Sequence, residues 1–230
     1  EFGFEAVRVM EACRWSGVPL VVHFRGSDAS ARNRIGLLEE RYRRLLRLAG
    51  GVIVKSERMA RRLEELGAER QRIQISPSGA NPALFHGSQP CQSPPLFLAV
   101  GRFVAKKGPL LTLRAFQLCL QRADVSPLPQ LWMVGEGPLL AEARRFVVQH
   151  QLQNNVVFAG VCSQEQVAER MRLVRAFVQH SIVAPDGDSE GSPVAVMEAQ
   201  LSGLPVIATR HAGIPDVVVD GATGLLVEEG

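Results

Sequence analysis

Short apolar runs rich in Val, Ile and Leu recur along the chain, separated by longer stretches of helical periodicity. The runs occupy residues 18–24, 51–55, 73–76, 96–100, 131–134, 156–160, 176–180, 205–209 and 224–227. Each is too short for a helix, and most carry no polar face, so they read as strands covered on both sides. Helical patterns lie between them, over 37–48, 57–66, 109–120, 139–150 and 193–201. Strands alternating with helices predict parallel sheets with helices on both faces, an α/β protein.

Residues 86–95, with three prolines, a glycine and several polar side chains, fit neither a helix nor a central strand. A domain boundary is expected there, giving a first domain over 1–86, a linker over 87–95 and a second domain over 96–230. Three strand runs precede the boundary and six follow it. The first domain is therefore expected to be incomplete at its front, and the second nearly whole. A start of Glu1-Phe2-Gly3, without Met, fits a chain that begins partway through a longer protein.

Composition narrows the partners. Hydrophobic residues make up 46% of the 230, enough for a core. No apolar run approaches the ~18–20 residues of a membrane-spanning helix, and the first residues lack the pattern of a signal peptide. The four cysteines are scattered without a CxxC pair, which argues against structural zinc and for reduced thiols in the cytoplasm. Net charge is +3, but residues 29–72 hold 12 Arg and Lys against 6 Asp and Glu. That excess is +6, so the remainder stands at −3. A basic helical surface suits either a solvated face of mixed charge or an anionic membrane. One Tyr and two Trp leave few stacking platforms, so no nucleic acid partner is expected.

Candidate chemistry falls where strands end. Gly101-Arg102-Phe103-Val104-Ala105-Lys106-Lys107-Gly108 follows a strand and precedes a helix opening near Pro109. Ligands of open α/β sheets bind at the carboxyl ends of strands. Arg102 and Lys107 beside a helix N-terminus would clamp a diphosphate. Further on, Asp186-Gly187-Asp188-Ser189-Glu190-Gly191-Ser192-Pro193 runs into a helix with Pro193 in its first turn. Glu190 in the loop and Glu198 two turns along the helix would each take paired hydroxyls, one on a donor hexose and one on a ribose. Asp186-x-Asp188 reads as a turn and not as a metal site. Gly135-Glu136-Gly137 lacks the third glycine of a dinucleotide fingerprint, since position 140 is Leu. No histidine spacing suits a metal, and no metal or cofactor is expected.

These stretches carry a resemblance. GRFVAKKG, LWMVGEGPL, VVFAG, the Glu190–Glu198 pair and GLPVIATRHAGIPDVVVDGATGLLV, in that order, resemble the donor domain of retaining glycosyltransferase family 4. PLVVHFRGSDAS, VIVKSERMARRLEELGA and SGANPALF resemble the back half of that family's acceptor domain, especially in enzymes building exopolysaccharides such as colanic acid. The resemblance implies a GT-B fold of two Rossmann-like domains and transfer of a hexose, with retention, from a UDP- or GDP-linked donor. The acceptor would be a saccharide or a lipid-linked saccharide, met in the cytoplasm or at the inner face of its membrane. Arg102 and Lys107 would grip the diphosphate, Glu190 the transferred sugar and Glu198 the ribose. Gly191, Ser192 and Val194 would offer backbone donors, and the base would lie near Gly160 and Val161. Family members often carry His where this chain has Arg25, so the catalytic role passes either to His23 or to Arg25. His23 would share a side with Arg25 if the strand extends that far. Arg25 would neutralise the leaving phosphate but not act as a base. A GT-B sugar-nucleotide epimerase and a non-catalytic nucleotide-sugar-binding fragment are the alternatives.

Overall fold

A computed structural model describes residues 2–230, with the backbone alone for 32–34. Two compact units emerge. The first comprises residues 2–78 together with 183–193, and the second 79–182 together with 194–230. The boundary thus falls after Ser78 rather than within 87–95. The proline-rich segment is bound to the second unit: the Ser88 N–H donates to the Ser202 carbonyl at 2.9 Å, and the Arg175 Nε to the Ser93 carbonyl at 2.9 Å. Its prolines mark a covering strap, not a linker.

In the first unit, β1 (Val21–His23), β2 (Gly51–Val54) and β3 (Ile73–Ile75) form a parallel sheet in that order. Around it lie α1 (Gly3–Ser16), the single turn α2 (Ser27–Ser30), α3 (Arg32–Leu48) and α4 (Glu57–Glu65). The Ser56 hydroxyl caps α4 by accepting from the Met59 N–H, which fixes where the apolar face of Met59, Ala60 and Leu63 begins. Phe24 and Tyr42 are fully buried and meet edge to face, ring centroids 5.7 Å apart. Such a pair is worth about 1 kcal/mol beyond the apolar area it buries.

The second unit holds six parallel strands in the order β6-β5-β4-β7-β8-β9. They are β4 (Leu96–Val100), β5 (Gln130–Val134), β6 (Val156–Gly160), β7 (Ala176–Gln179), β8 (Val206–Thr209) and β9 (Gly224–Val227). The helices are α5 (Pro109–Arg122), α6 (Leu140–Gln149), α7 (Gln164–Leu173) and α8 (Val194–Ser202). Two buried clusters, one around Leu98, Phe177 and Val206 and one around Leu113, Leu131 and Met133, form its core. The chain runs outward from β4 to β5 and β6, then returns to place β7 on the other side of β4. Such a switch of direction leaves a crevice at the carboxyl ends of the two strands that flank it.

All nine strand runs are present, though the first shortens to Val21–His23. Sequence periodicity did not single out α1 and α7. The buried face of α1 is small (Gly3, Ala6, Val7 and Met10), while Val9 and Trp15 are exposed and blur it. Helix α8 begins at Val194, so Pro193 precedes it.

Candidate functional site

The crevice between β4 and β7 contains a small cavity at the first turn of α5, lined in part by Arg102, Lys107, Pro109, Thr112, Gln179 and His180. A turn of 3-10 helix at Ala105–Lys107 leads to Gly108, which has φ 50°. A Cβ on Gly108 would fall 2.3 Å from the His180 carbonyl oxygen, so only glycine lets the loop pack against the end of β7. Pro109 then opens α5. Arg102 and Lys107 thus stand together at a helix N-terminus, an arrangement that attracts an anion. Gln179 and His180 were not anticipated. Gln179 is buried, its Nε2 donates to Ser181 Oγ at 3.0 Å, and its Oε1 has no protein donor. Burial pushes the His180 pKa down, and nearby Glu229 partly opposes this. No sequence motif marks either residue.

Glu198 lies on α8 and is buried. Burial raises its pKa, and the Gln164 amide opposes the shift. Gln164 Nε2 stands 3.5 Å from Glu198 Oε1. Gln164 opens α7, a few residues beyond Gly160 and Val161, so the structure brings Glu198 toward the loop that carries them. Val161 is exposed and Gly160 ends β6 with φ 68°.

Of the remaining predicted residues, Val194 opens α8 in the second unit and the others lie in the first. β1 stops at His23, so strand alternation does not carry on to Arg25 and cannot align the two side chains. His23 is half-buried, and Arg25 is exposed with its guanidinium 5.8 Å from the Phe2 ring centroid. Asp28 fixes the turn at Arg25 and Gly26. Its fully buried carboxylate accepts from the N–H groups of Gly3 at 3.0 Å, Arg25 at 3.0 Å and Gly26 at 2.8 Å. Against this turn lies the segment 183–193 with Glu190, Gly191 and Ser192. A Cβ on Gly191 would come within 2.6 Å of the Arg25 carbonyl oxygen. Ser30 Oγ accepts from the Ser189 N–H at 3.3 Å, and Ser192 Oγ accepts from the Ser78 N–H at 3.1 Å. The loops bearing His23, Arg25 and Glu190 are therefore held in one unit. Asp186 Oδ1 accepts from the Asp188 N–H at 3.0 Å, a turn as the sequence suggested. Among the described residues no group of three or more His, Cys, Asp or Glu side chains could hold a metal.

The parallel sheets and the loops at their carboxyl ends define an α/β protein of the GT-B glycosyltransferase fold. The chain belongs to the glycosyl transferases group 1 family, whose pattern matches residues 84–230, and residues 3–79 match a glycosyl transferase 4-like domain. WcaL of Escherichia coli K12, named as a colanic acid biosynthesis glycosyltransferase, is 32% identical over 90% of this chain and 50% of its own length. The amylovoran biosynthesis glycosyltransferase AmsK of Erwinia amylovora is 28% identical over 91% of this chain and 51% of its own. Thus the chain spans about half the length of the curated relatives it matches. Among solved structures, HepE of Anabaena in complex with UDP superposes with a TM-score of 0.79 at 20% identity, over 98% of this chain and 62% of that one. The family, WcaL and AmsK are all named as glycosyltransferases.

Proposed function

We propose that this chain takes part in the retaining transfer of a hexose from a UDP- or GDP-linked donor to a saccharide or lipid-linked acceptor, as in exopolysaccharide assembly. What supports this most is the pairing of Arg102 with Lys107 at the β4–β7 crevice, beside the N-terminus of α5. Two cations and a helix dipole stabilise a diphosphate as it departs, where negative charge grows in the transition state. Glu198 accepts from the ribose hydroxyls, and Gly160 and Val161 border the base. Glu190, Gly191, Ser192 and Val194 meet the sugar and the phosphates. His23 and Arg25 face the reacting sugar, with Arg25 offering permanent charge and His23 the group able to exchange a proton near neutral pH. Retention and the hexose rest on the family resemblance. The polysaccharide roles in the names of WcaL and AmsK support the acceptor class, and a lipid-linked acceptor would bring the first unit to a membrane surface.

The test is calorimetric titration of the chain with UDP and with GDP, beside Arg102→Ala and Glu198→Ala. One nucleotide is expected to bind. Arg102→Ala should weaken it roughly tenfold to a hundredfold, the worth of one charge-assisted hydrogen bond of about 1.5–3 kcal/mol. Binding that is indifferent to both substitutions places the donor elsewhere.

A further inference from the structure

We propose that Gln164 is a positioning residue, whose side-chain amide holds the Glu198 carboxylate in the orientation that receives a vicinal diol. This rests on the reading of Glu198 as the ribose ligand.

Helix α7 does not need Gln164. Its N-terminus is closed by a capping box in which Ser163 Oγ accepts from the Gln166 N–H at 3.3 Å, and Gln166 Oε1 accepts from the Ser163 N–H at 3.0 Å. Its buried face is Val167, Ala168 and Met171. Gln164 is exposed, and its Nε2 reaches across to Glu198 Oε1 at 3.5 Å. The sequence therefore spends one residue at this corner on a contact that neither starts the helix nor fills the core.

Glu198 has the opposite character. It is 7% exposed, and burial drives its carboxyl toward the neutral form. A neutral carboxyl keeps only one strong acceptor, whereas a carboxylate can accept from both hydroxyls of a diol. No other charge helps it among the described residues. Glu198 is the sole ionisable side chain of α8, the facing strands β7 and β8 carry none, and Glu165 and Glu169 of α7 are exposed. The arginines of α7 are engaged elsewhere, Arg170 over the Trp132 ring at 5.4 Å and Arg172 donating to the Leu84 carbonyl at 3.0 Å. The amide of Gln164 is the one group that opposes burial there. The contact is long for a hydrogen bond, so an arriving hydroxyl can compete for the same oxygen without a large penalty. In this arrangement Gln164 opposes the shift of the acid toward its neutral form while the site is vacant, and the diol takes over on binding.

The prediction is read first without ligand, by NMR titration of glutamate carboxyl carbons, with the Glu198 signal identified by its loss in Glu198→Gln. Gln164→Ala should move the Glu198 midpoint upward by about half to one pH unit. Gln164→Lys should move it downward, because a cation now faces the carboxylate. Opposite shifts cannot come from a purely structural role, and an exposed side chain outside the capping box leaves the fold intact. A midpoint unchanged in both variants overturns the proposal. Next, the nucleotide that binds is compared with its 2′-deoxy counterpart by calorimetry at pH 6. Wild type should prefer the ribose form by about tenfold, and Gln164→Ala should narrow that preference several-fold. If the carboxyl midpoints shift as expected while wild type shows no ribose preference, Gln164 does hold Glu198 and the ribose reading is what fails.

Discussion

Asp28, Gln164, Gln179 and His180 are the residues that chemistry singles out and sequence did not. Arg102 and Lys107 could be picked out because two cations fall in a glycine-bounded turn between an apolar run and a helix start, where open α/β sheets bind ligands. Glu198 was legible from its place two turns beyond a loop carboxylate. A buried glutamine or a half-buried histidine at the end of a strand has no such marker, since its role depends on which neighbouring strand ends beside it. His180 makes the point testable. Burial lowers its pKa, so folded His180 releases its proton at a lower pH than in the unfolded chain, which titrates near the ordinary value of about 6.5. The unfolded state then binds more protons as pH falls through that range. Stability present above pH ~6.5 is therefore lost on acidification, until the depressed folded pKa is reached. Urea midpoints at pH 7.5 and 5.5 should fall less in His180→Gln than in wild type. Equal losses would mean that His180 titrates as an exposed histidine does.

Elements were easier to read than their edges. Each apolar run became a strand because parallel strands covered on both faces tolerate no polar interruption. α7 carried a visible Ser-x-x-Gln start, Ser163 to Gln166, but its short apolar face of Val167, Ala168 and Met171 gave weak periodicity. The loop 183–193 departed from expectation most. Its glycines suggested backbone donors for a ligand, yet Gly191 is also enclosed by protein, with the Arg25 carbonyl where a side chain would begin. Gly191→Ala places a Cβ 2.6 Å from that backbone oxygen, and a backbone atom cannot rotate away as a flexible side chain can. The substitution should cost about 1–3 kcal/mol, read as a lower urea midpoint. It should also shift the turn at Arg25 and Gly26, visible in their amide NMR signals. Gly79→Ala makes a useful control, since φ is not positive at either glycine and a Cβ on Gly79 would meet nothing within 4 Å. If the two variants lose the same stability, backbone conformation and not close approach sets the cost.

At the scale of the whole molecule, charge is the feature most altered by folding. The basic excess of residues 29–72 suited either a solvated face of mixed charge or an anionic membrane, and much of it is matched locally. Arg43 pairs with Glu39 at 2.7 Å, Arg44 with Glu11 at 2.7 Å, Arg62 with Glu65 at 2.6 Å, Arg70 with Glu57 at 2.9 Å and Arg72 with Glu69 at 3.0 Å. The side chains of Arg32 and Arg34 lie outside the described residues. Exposed pairs of this kind hold each other by about 0.2–1 kcal/mol and are easily exchanged, so an anionic surface can recruit these arginines only by competing with their carboxylates. Among the described residues no helix is long and apolar enough to cross a membrane. Peripheral contact, as proposed for a lipid-linked acceptor, would therefore combine weak electrostatics with insertion of exposed apolar side chains. Trp15 is 81% exposed and Leu37 86%, one on α1 and one on α3, and each could enter a headgroup layer. Co-sedimentation with vesicles rich in anionic lipid should retain the protein at low salt and release most of it at about 0.5 M salt, where screening shortens to a few ångströms. Trp15→Ala and Leu37→Ala should each weaken that retention several-fold without altering nucleotide binding. Equal retention on neutral and anionic vesicles would leave insertion and remove the electrostatic part, whereas retention on neither would remove the membrane from the proposal and leave a freely diffusing saccharide as the acceptor.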